Sequence, residues 1–133
     1  MKLPDGNILI ARALRSHVNH EVAMKFLERE KRIATCAITE LNLVRVLMQL
    51  NTAPKDAFAM LKDILKRHGA IFIPSDLSAT VISNDVAGHR ATTDAYLARL
   101  AEKHGLTVAT LDGQFASRWP KRVELVIPRS RER

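Results

Sequence analysis

The sequence predicts an α/β fold: one domain built on a short central parallel sheet of four to five strands, with helices on both faces. Three observations lead there. Short, continuously apolar segments at Ile33–Cys36, Ala70–Ile73, Leu106–Leu111 and Val123–Ile127 read as strands buried on both sides. Longer stretches with helical apolar spacing alternate with them, the order that builds parallel sheets. The chain has 133 residues, 47% hydrophobic and 26% charged, which suits a single core of its own.

Taken in order, Lys2-Leu3-Pro4 is a short strand at most, and Asp5-Gly6-Asn7 reads as a turn and helix start because Asp and Asn are good caps. Ile8 to Leu14 continues as a helix. His17 to Arg32 carries Val18, Val22, Phe26 and Leu27 near one stripe, with Glu21–Lys25 and Glu28–Arg32 spaced as i,i+4 pairs. The strand Ile33–Cys36 leads into an apolar helix from Ile38 to Leu50. Pro54 opens the next helix, which reaches His68 with Phe58, Leu61, Ile64 and Leu65 inward and Gly69 as its cap. After the strand Ala70–Ile73, a short helix is expected between Asp76 and Ser83, then a loop from Asn84 to Arg90. The next helix runs from Thr92 or Thr93 to His104, its start capped by a threonine hydroxyl and its end by Gly105. Leu106–Leu111 delivers Asp112, Gly113 to Arg122 reads mostly as loop, and Val123–Ile127 closes the domain. The domain is expected to occupy residues 1–127, with a frayed basic tail over 128–133.

Composition narrows the function classes. One cysteine, Cys36, permits no internal disulfide and suits a reducing compartment; no apolar run is long enough to span a bilayer, and the N-terminus does not resemble a signal peptide. A cytoplasmic location is therefore expected. Twenty-one Lys and Arg against fourteen Asp and Glu give a net charge of +7. Such a surface suits a polyanion such as RNA or DNA, or an acidic protein, although a solubilising excess gives the same number.

Ten of the acids sit on polar helix faces, in loops, in the last strand or in the tail, where solvation explains them. Four do not. Asp5 directly follows the first strand. Glu40 shares a helix face with Leu43, Val44 and Leu47. Asp94 shares one with Leu97, Ala98 and Ala101. Asp112 directly follows the strand Thr107–Leu111. Each lies past a strand's carboxyl end or at a helix start, where parallel sheets place ligands. Singly, each also reads as a cap or turn residue. Jointly, four converging carboxylates would stay ionised only around a cation, and oxygen-only donors favour Mg²⁺ or Mn²⁺ over zinc. Such a site suits hydrolysis of a phosphodiester.

The motifs around these acids carry a resemblance. Pro4-Asp5-Gly6-Asn7-Ile8-Leu9-Ile10 resembles the D-x-N motif of PIN-domain nucleases. Ile33 to Leu41 is similar to their second motif, a strand running into T-E-L. Gly88 to Leu97 resembles their T-D-A-Y/L motif, and Ala109-Thr110-Leu111-Asp112 their final T-x-D. All four occur in order and span nearly the whole chain, most closely in the manner of VapC-type toxins of bacterial toxin–antitoxin pairs. The resemblance implies a PIN-like domain acting as a Mg²⁺- or Mn²⁺-dependent endoribonuclease on structured RNA such as tRNA. Asp5, Glu40, Asp94 and Asp112 would be the catalytic metal ligands, supported by Asn7, Thr93 and Thr110. It also implies a homodimer and a cognate antitoxin that blocks the cleft. A housekeeping RNA-processing nuclease, or an inactive PIN module that binds RNA or a partner, remains an alternative. Two departures stand out: Gly6 occupies the middle of D-x-N where a bulkier residue is common, and Gly113-Gln114-Phe115 supplies no further acid after Asp112.

Other residues have two readings. Arg12, His89 and Arg90 are candidates for RNA contact or are merely solvated. Arg45 either lines the cleft or pairs with an acid. His17 and His20 have metal-like spacing without further ligands, so surface positions are expected. Phe115 and Trp119 read as core before base-stacking. Leu14, Met24, Leu27, Met48 and Leu50 could form a dimer face or belong to the core.

Overall fold

The computed structural model describes residues 1–128 and shows an α/β fold. Five strands, β1 (Lys2–Pro4), β2 (Ala34–Thr35), β3 (Ile71–Phe72), β4 (Thr107–Thr110) and β5 (Val123–Leu125), alternate with six helices, α1 (Gly6–Ala13), α2 (His20–Arg29), α3 (Ala37–Gln49), α4 (Pro54–Arg67), α5 (Thr92–Lys103) and α6 (Gly113–Arg118). All pairings are parallel. Leu3 lies opposite Val108, Val108 opposite Val123, and Ala34 opposite Ile71. A single bridge between Lys2 and Ile33 joins the two halves, giving the spatial order β3-β2-β1-β4-β5. The direction of winding reverses between β1 and β4, the switch point at which ligands bind in such sheets.

Successive strand residues face opposite layers, as the pleat requires. Val108 joins Leu3, Val123, Leu97, Leu100 and Phe115 under α5 and α6. Ala109 joins Ile33, Ile8, Phe26 and Leu27 under α1 and α2. Leu9, Leu43, Leu47, Leu61 and Ile64 pack α1, α3 and α4 together in a further cluster. The helices on both faces agree with expectation, as does burial of Cys36.

Several local expectations are corrected. The helix from His17 to Arg32 is shorter at both ends, because the chain turns at Asn19, whose N–H bonds His17 Nδ1. The stretch expected to be loop after Asp112 contains α6; only Phe115 of this helix is buried, so it shows no apolar period. Phe58 is 43% exposed rather than inward, since Ala57, Leu61 and Ile64 define the buried stripe of α4. The short helix between Asp76 and Ser83 is a 3₁₀ turn at Ala79–Ile82, and a second such turn, His89–Ala91, interrupts the expected loop and abuts α5. No threonine caps α5: Thr92 Oγ1 instead donates to the His89 carbonyl at 2.8 Å, which ties the turn to the helix. The last strand stops at Leu125. Leu27 is core, whereas Met48 is 36% and Leu50 57% exposed. Of the basic tail expected over 128–133, residues 129–133 lie outside the described residues. No helix among the described residues is long and apolar enough to cross a membrane.

The loop before α5 is held by side chains. Tyr96 donates its hydroxyl to the Leu77 carbonyl at 2.7 Å. Asp76 and Asp85, read from sequence as solvated, both pair: Asp76 with Lys103 and His104, Asp85 with Arg99 through two hydrogen bonds of 2.8 and 2.9 Å. The Arg99 guanidinium lies 5.0 Å from the Trp119 ring centroid, so Asp85 fixes the cation that covers the indole. The Arg99 hydrogen bonds hold the Asp85 carboxyl below its usual range. A depressed acid stabilises the fold above its unfolded pKa and loses that contribution as pH falls through the folded value. Asp85→Asn is therefore expected to flatten the acid side of the stability profile. It should also alter the fluorescence of Trp119, the single tryptophan. Unchanged emission would mean that Asp85 does not fix the stack.

Candidate active site

Asp5 is delivered by β1 and caps α1, its Oδ1 accepting from the Gly6 N–H at 2.7 Å. Its other oxygen, Oδ2, accepts from the Thr110 hydroxyl at 2.9 Å. That hydroxyl, fully buried at the end of β4, uses its whole capacity: one proton given to Asp5, and two lone pairs that accept from Asn7 Nδ2 at 3.0 Å and the Asp112 N–H at 3.1 Å. Asn7 Oδ1 then accepts from the Leu111 N–H at 3.2 Å. The D-x-N and T-x-D segments, about a hundred residues apart in sequence, thus interlock across the switch point.

Asp112 caps α6. Its Oδ1 accepts from the N–H groups of Gln114 and Phe115, at 2.9 and 3.4 Å. The cap engages one oxygen only, so capping and a second role are compatible. Asp94 lies in the first turn of α5, and among the described residues no hydrogen bond or ion pair meets its carboxylate. Its carboxyl is pushed up to about 6, first by burial and then by the charges of Asp5 and Asp112, with Arg118 opposing. Asp5 is also raised, mainly by burial, with the Thr110 and Gly6 hydrogen bonds working the other way and the Asp112 charge adding to the rise. Three carboxylates from three elements therefore feel one another.

Glu40 stands in the first turn of α3, which Thr39 fixes by bonding both the N–H and the carbonyl of Cys36. Its Oε2 accepts from the Thr35 hydroxyl at 2.7 Å. Glu40 is not among the charges that shift Asp5 or Asp94. Among the described residues, no three Asp, Glu, His or Cys side chains close to metal-ligating geometry. The donor set is nonetheless of the kind that suits a hard divalent cation: all oxygen, no His or Cys, with the Asp94 carboxylate unpartnered among the described residues.

Two cavities meet at Asp94. One, of about 410 Å³, includes Asp5, Asp94, Thr93, Asn42 and Arg45. The other, of about 380 Å³, includes Asp94, Ala91, Phe115, Arg118 and Trp119. Arg118 also lines an adjoining cavity of about 510 Å³ with His89 and Arg90. His89 and Arg90 therefore stand one cavity away from the carboxylates. Arg12 does not: its Nε donates to His68 Nε2 at 3.2 Å between α1 and α4. Burial and the Arg12 charge keep His68 below its usual pKa, so it accepts this bond as a neutral ring. Thr93 lines the cleft, and no hydrogen bond from its side chain to a carboxylate is seen among the described residues. His20 is tied to the Ala11 carbonyl at 2.8 Å, Phe115 is core, and Trp119 packs at the core's edge.

Sequence reasoning missed Thr35 and Arg118. A signal for Thr35 existed, since Ala34-Thr35 and Ala109-Thr110 both end a strand with a threonine that holds an acid. Arg118 had none, because α6 was not expected.

This geometry, with four ordered acid motifs on a five-stranded parallel sheet, defines a class. The chain belongs to the PIN domain family, whose model matches residues 2–118. Within the family it stands with the VapC-type members. It is 40% identical to Ribonuclease VapC29 of Mycobacterium tuberculosis over 119 residues, which cover 86% of this chain and 87% of that protein. It is 34% identical to Ribonuclease VapC39 of the same organism over 125 residues, covering 86% and 90%. Among solved structures the fold is similar to that of M. tuberculosis VapC20, described as a Sarcin-Ricin loop cleaving toxin, with TM-score 0.67 and 12% identity over 88% of this chain and 94% of that one. It is also similar to FitAcB from Neisseria gonorrhoeae, with TM-score 0.63 and 22% identity over 92% and 96%.

Proposed function

We propose that this protein is a Mg²⁺- or Mn²⁺-dependent endoribonuclease, the toxin of a toxin–antitoxin pair, acting on structured RNA such as tRNA. The observation that supports this most is that Asp5 and Asp94 line one cleft at the switch point, with Asp94 unpartnered among the described residues and feeling the charges of both Asp5 and Asp112. Asp5, Asp94 and Asp112 would hold the cation, with Glu40, positioned by Thr35, completing the set directly or through water. Held there, a divalent ion would supply Lewis-acid polarisation of the phosphodiester and a more acidic water for its hydrolysis. The chain's own residues supply the rest. Thr110 and Asn7 fix the Asp5 and Asp112 turns. Arg118 and Arg90 form a cationic flank, with His89 beside them, along which the RNA backbone runs. The net charge of +7 draws the polyanion to the cleft.

Antitoxin binding over the cleft and a homodimeric assembly in the cytoplasm complete the reading, the first on the strength of VapC-type kinship. Purified protein is expected to cleave tRNA in Mn²⁺, to stop on adding EDTA, and to resume on restoring Mn²⁺. Cleavage that persists unchanged in EDTA would remove the metal-dependent reading.

A further inference from the structure

The cleft has a second wall, on α3, that faces Asp5 and Asp94 across the 410 Å³ cavity. Arg45 reaches it, and its Nη2 donates to Asn42 Oδ1 at 2.8 Å. Among the described residues no carboxylate pairs with Arg45, whereas Arg67 and Arg99 both pair with acids. The bond to a neutral amide fixes the guanidinium and leaves its charge and most of its five N–H donors available.

Asn42 owes its place to Gly6. A Cβ on residue 6 would fall 2.9 Å from Asn42 Cγ and closer still to Nδ2, so any other residue there displaces the amide. The Gly6 backbone has no positive φ, so conformation does not demand a glycine. What it supplies at this position is room.

We propose that Gly6, Asn42 and Arg45 form a phosphate-binding device: Arg45, held by Asn42 in the space Gly6 leaves, binds an RNA backbone phosphate beside the scissile one. The device sits across the carboxylates from Arg118, so cations flank the cleft on both sides. It counters the repulsion a polyanion meets from Asp5 and Asp94. This proposal rests on the ribonuclease reading and deepens it.

The test measures binding of fluorescein-labelled tRNA by anisotropy over a NaCl series, without metal, in an Asp94→Asn background that does not cleave. Arg45→Ala is expected to weaken binding about 10-fold and to lower the salt slope by about 1. Arg45→Lys should keep the slope and recover part of the affinity. Gly6→Ala should weaken binding, add nothing to Arg45→Ala, and have no effect once Asn42 is alanine. Parental affinity and slope in Arg45→Ala, or additive losses from Gly6→Ala and Arg45→Ala, would overturn the proposal. The exposed Arg45 variants keep it testable if Gly6→Ala fails to fold. Cleavage assays with Mn²⁺ separate the two levels: equal KM for tRNA in wild type and Arg45→Ala sinks the device alone, while no cleavage of total cellular RNA by the wild type removes the ribonuclease reading as well.

Discussion

Asp94→Asn is expected to abolish RNA cleavage and, at the same time, to stabilise the metal-free protein. Both effects come from one carboxylate. With Asp5 and Asp112 nearby and burial added, its pKa is pushed up to about 6 from a reference of 3.8. An acid raised in the folded state stabilises the fold only while protonated; that contribution is complete below about pH 4 and is lost as pH climbs through about 6. At neutral pH the charge is a burden on the fold. Two units correspond to about 3 kcal/mol, and the open, solvated side of the residue reduces this to about 1–2 kcal/mol. Removing the charge should therefore raise the melting temperature at pH 7.5 in EDTA by about 3–6 °C, with little gain at pH 4. Cleavage in Mn²⁺ should fall about 100-fold or more, since one of the proposed ligands is gone. Differential scanning calorimetry at the two pH values measures the first effect and tRNA cleavage the second. A variant that is less stable than wild type at pH 7.5 would show that Asp94 is a structural residue. The expected trade, stability for activity, is the usual mark of a functional charge.

The second large effect falls on a residue that need not touch the reacting atoms. Thr110→Val leaves the shape of the β4 end unchanged and removes the hydroxyl that joins Asp5, Asn7 and the Asp112 N–H. Two donors, on half-buried Asn7 and exposed Asp112, lose their acceptor, and Asp5 loses its strongest pKa-lowering partner. A stability loss of about 1–3 kcal/mol is expected, measured by urea denaturation. Cleavage should drop by about 10–100-fold because the ligands lose their orientation. Its pH dependence should move upward, since protons compete better for an Asp5 whose pKa has risen. Thr110→Ser keeps the hydroxyl and should restore most of the activity. If Val and Ser behave alike, the network is only packing.

The parts of this arrangement were not equally legible. Strand identity was readable because Ile33–Cys36 and Leu106–Leu111 are continuously apolar, which only strands buried on both faces demand. The acids could be singled out because Glu40 and Asp94 share faces with leucines and alanines. Their mutual approach could not be read from spacing, since Asp5 and Asp112 meet through the pairing of β1 with β4, a contact over a hundred residues long in sequence. Family motifs supplied it instead. The α5 start was misread because Thr92 bonds backward to His89 rather than capping forward, and sequence does not separate these uses of one hydroxyl. In sequence, Gly6 stood out only as a small residue in the middle of D-x-N. Its role becomes visible only when α3 places Asn42 over it.

The central claim is that these carboxylates exist to hold a divalent cation. Calorimetric titration of Mn²⁺ into the purified protein at pH 7.5 tests it most directly. Saturable binding that weakens at least about 10-fold in Asp94→Asn is the predicted result. No binding by the wild type, or equal binding by the variant, would contradict it.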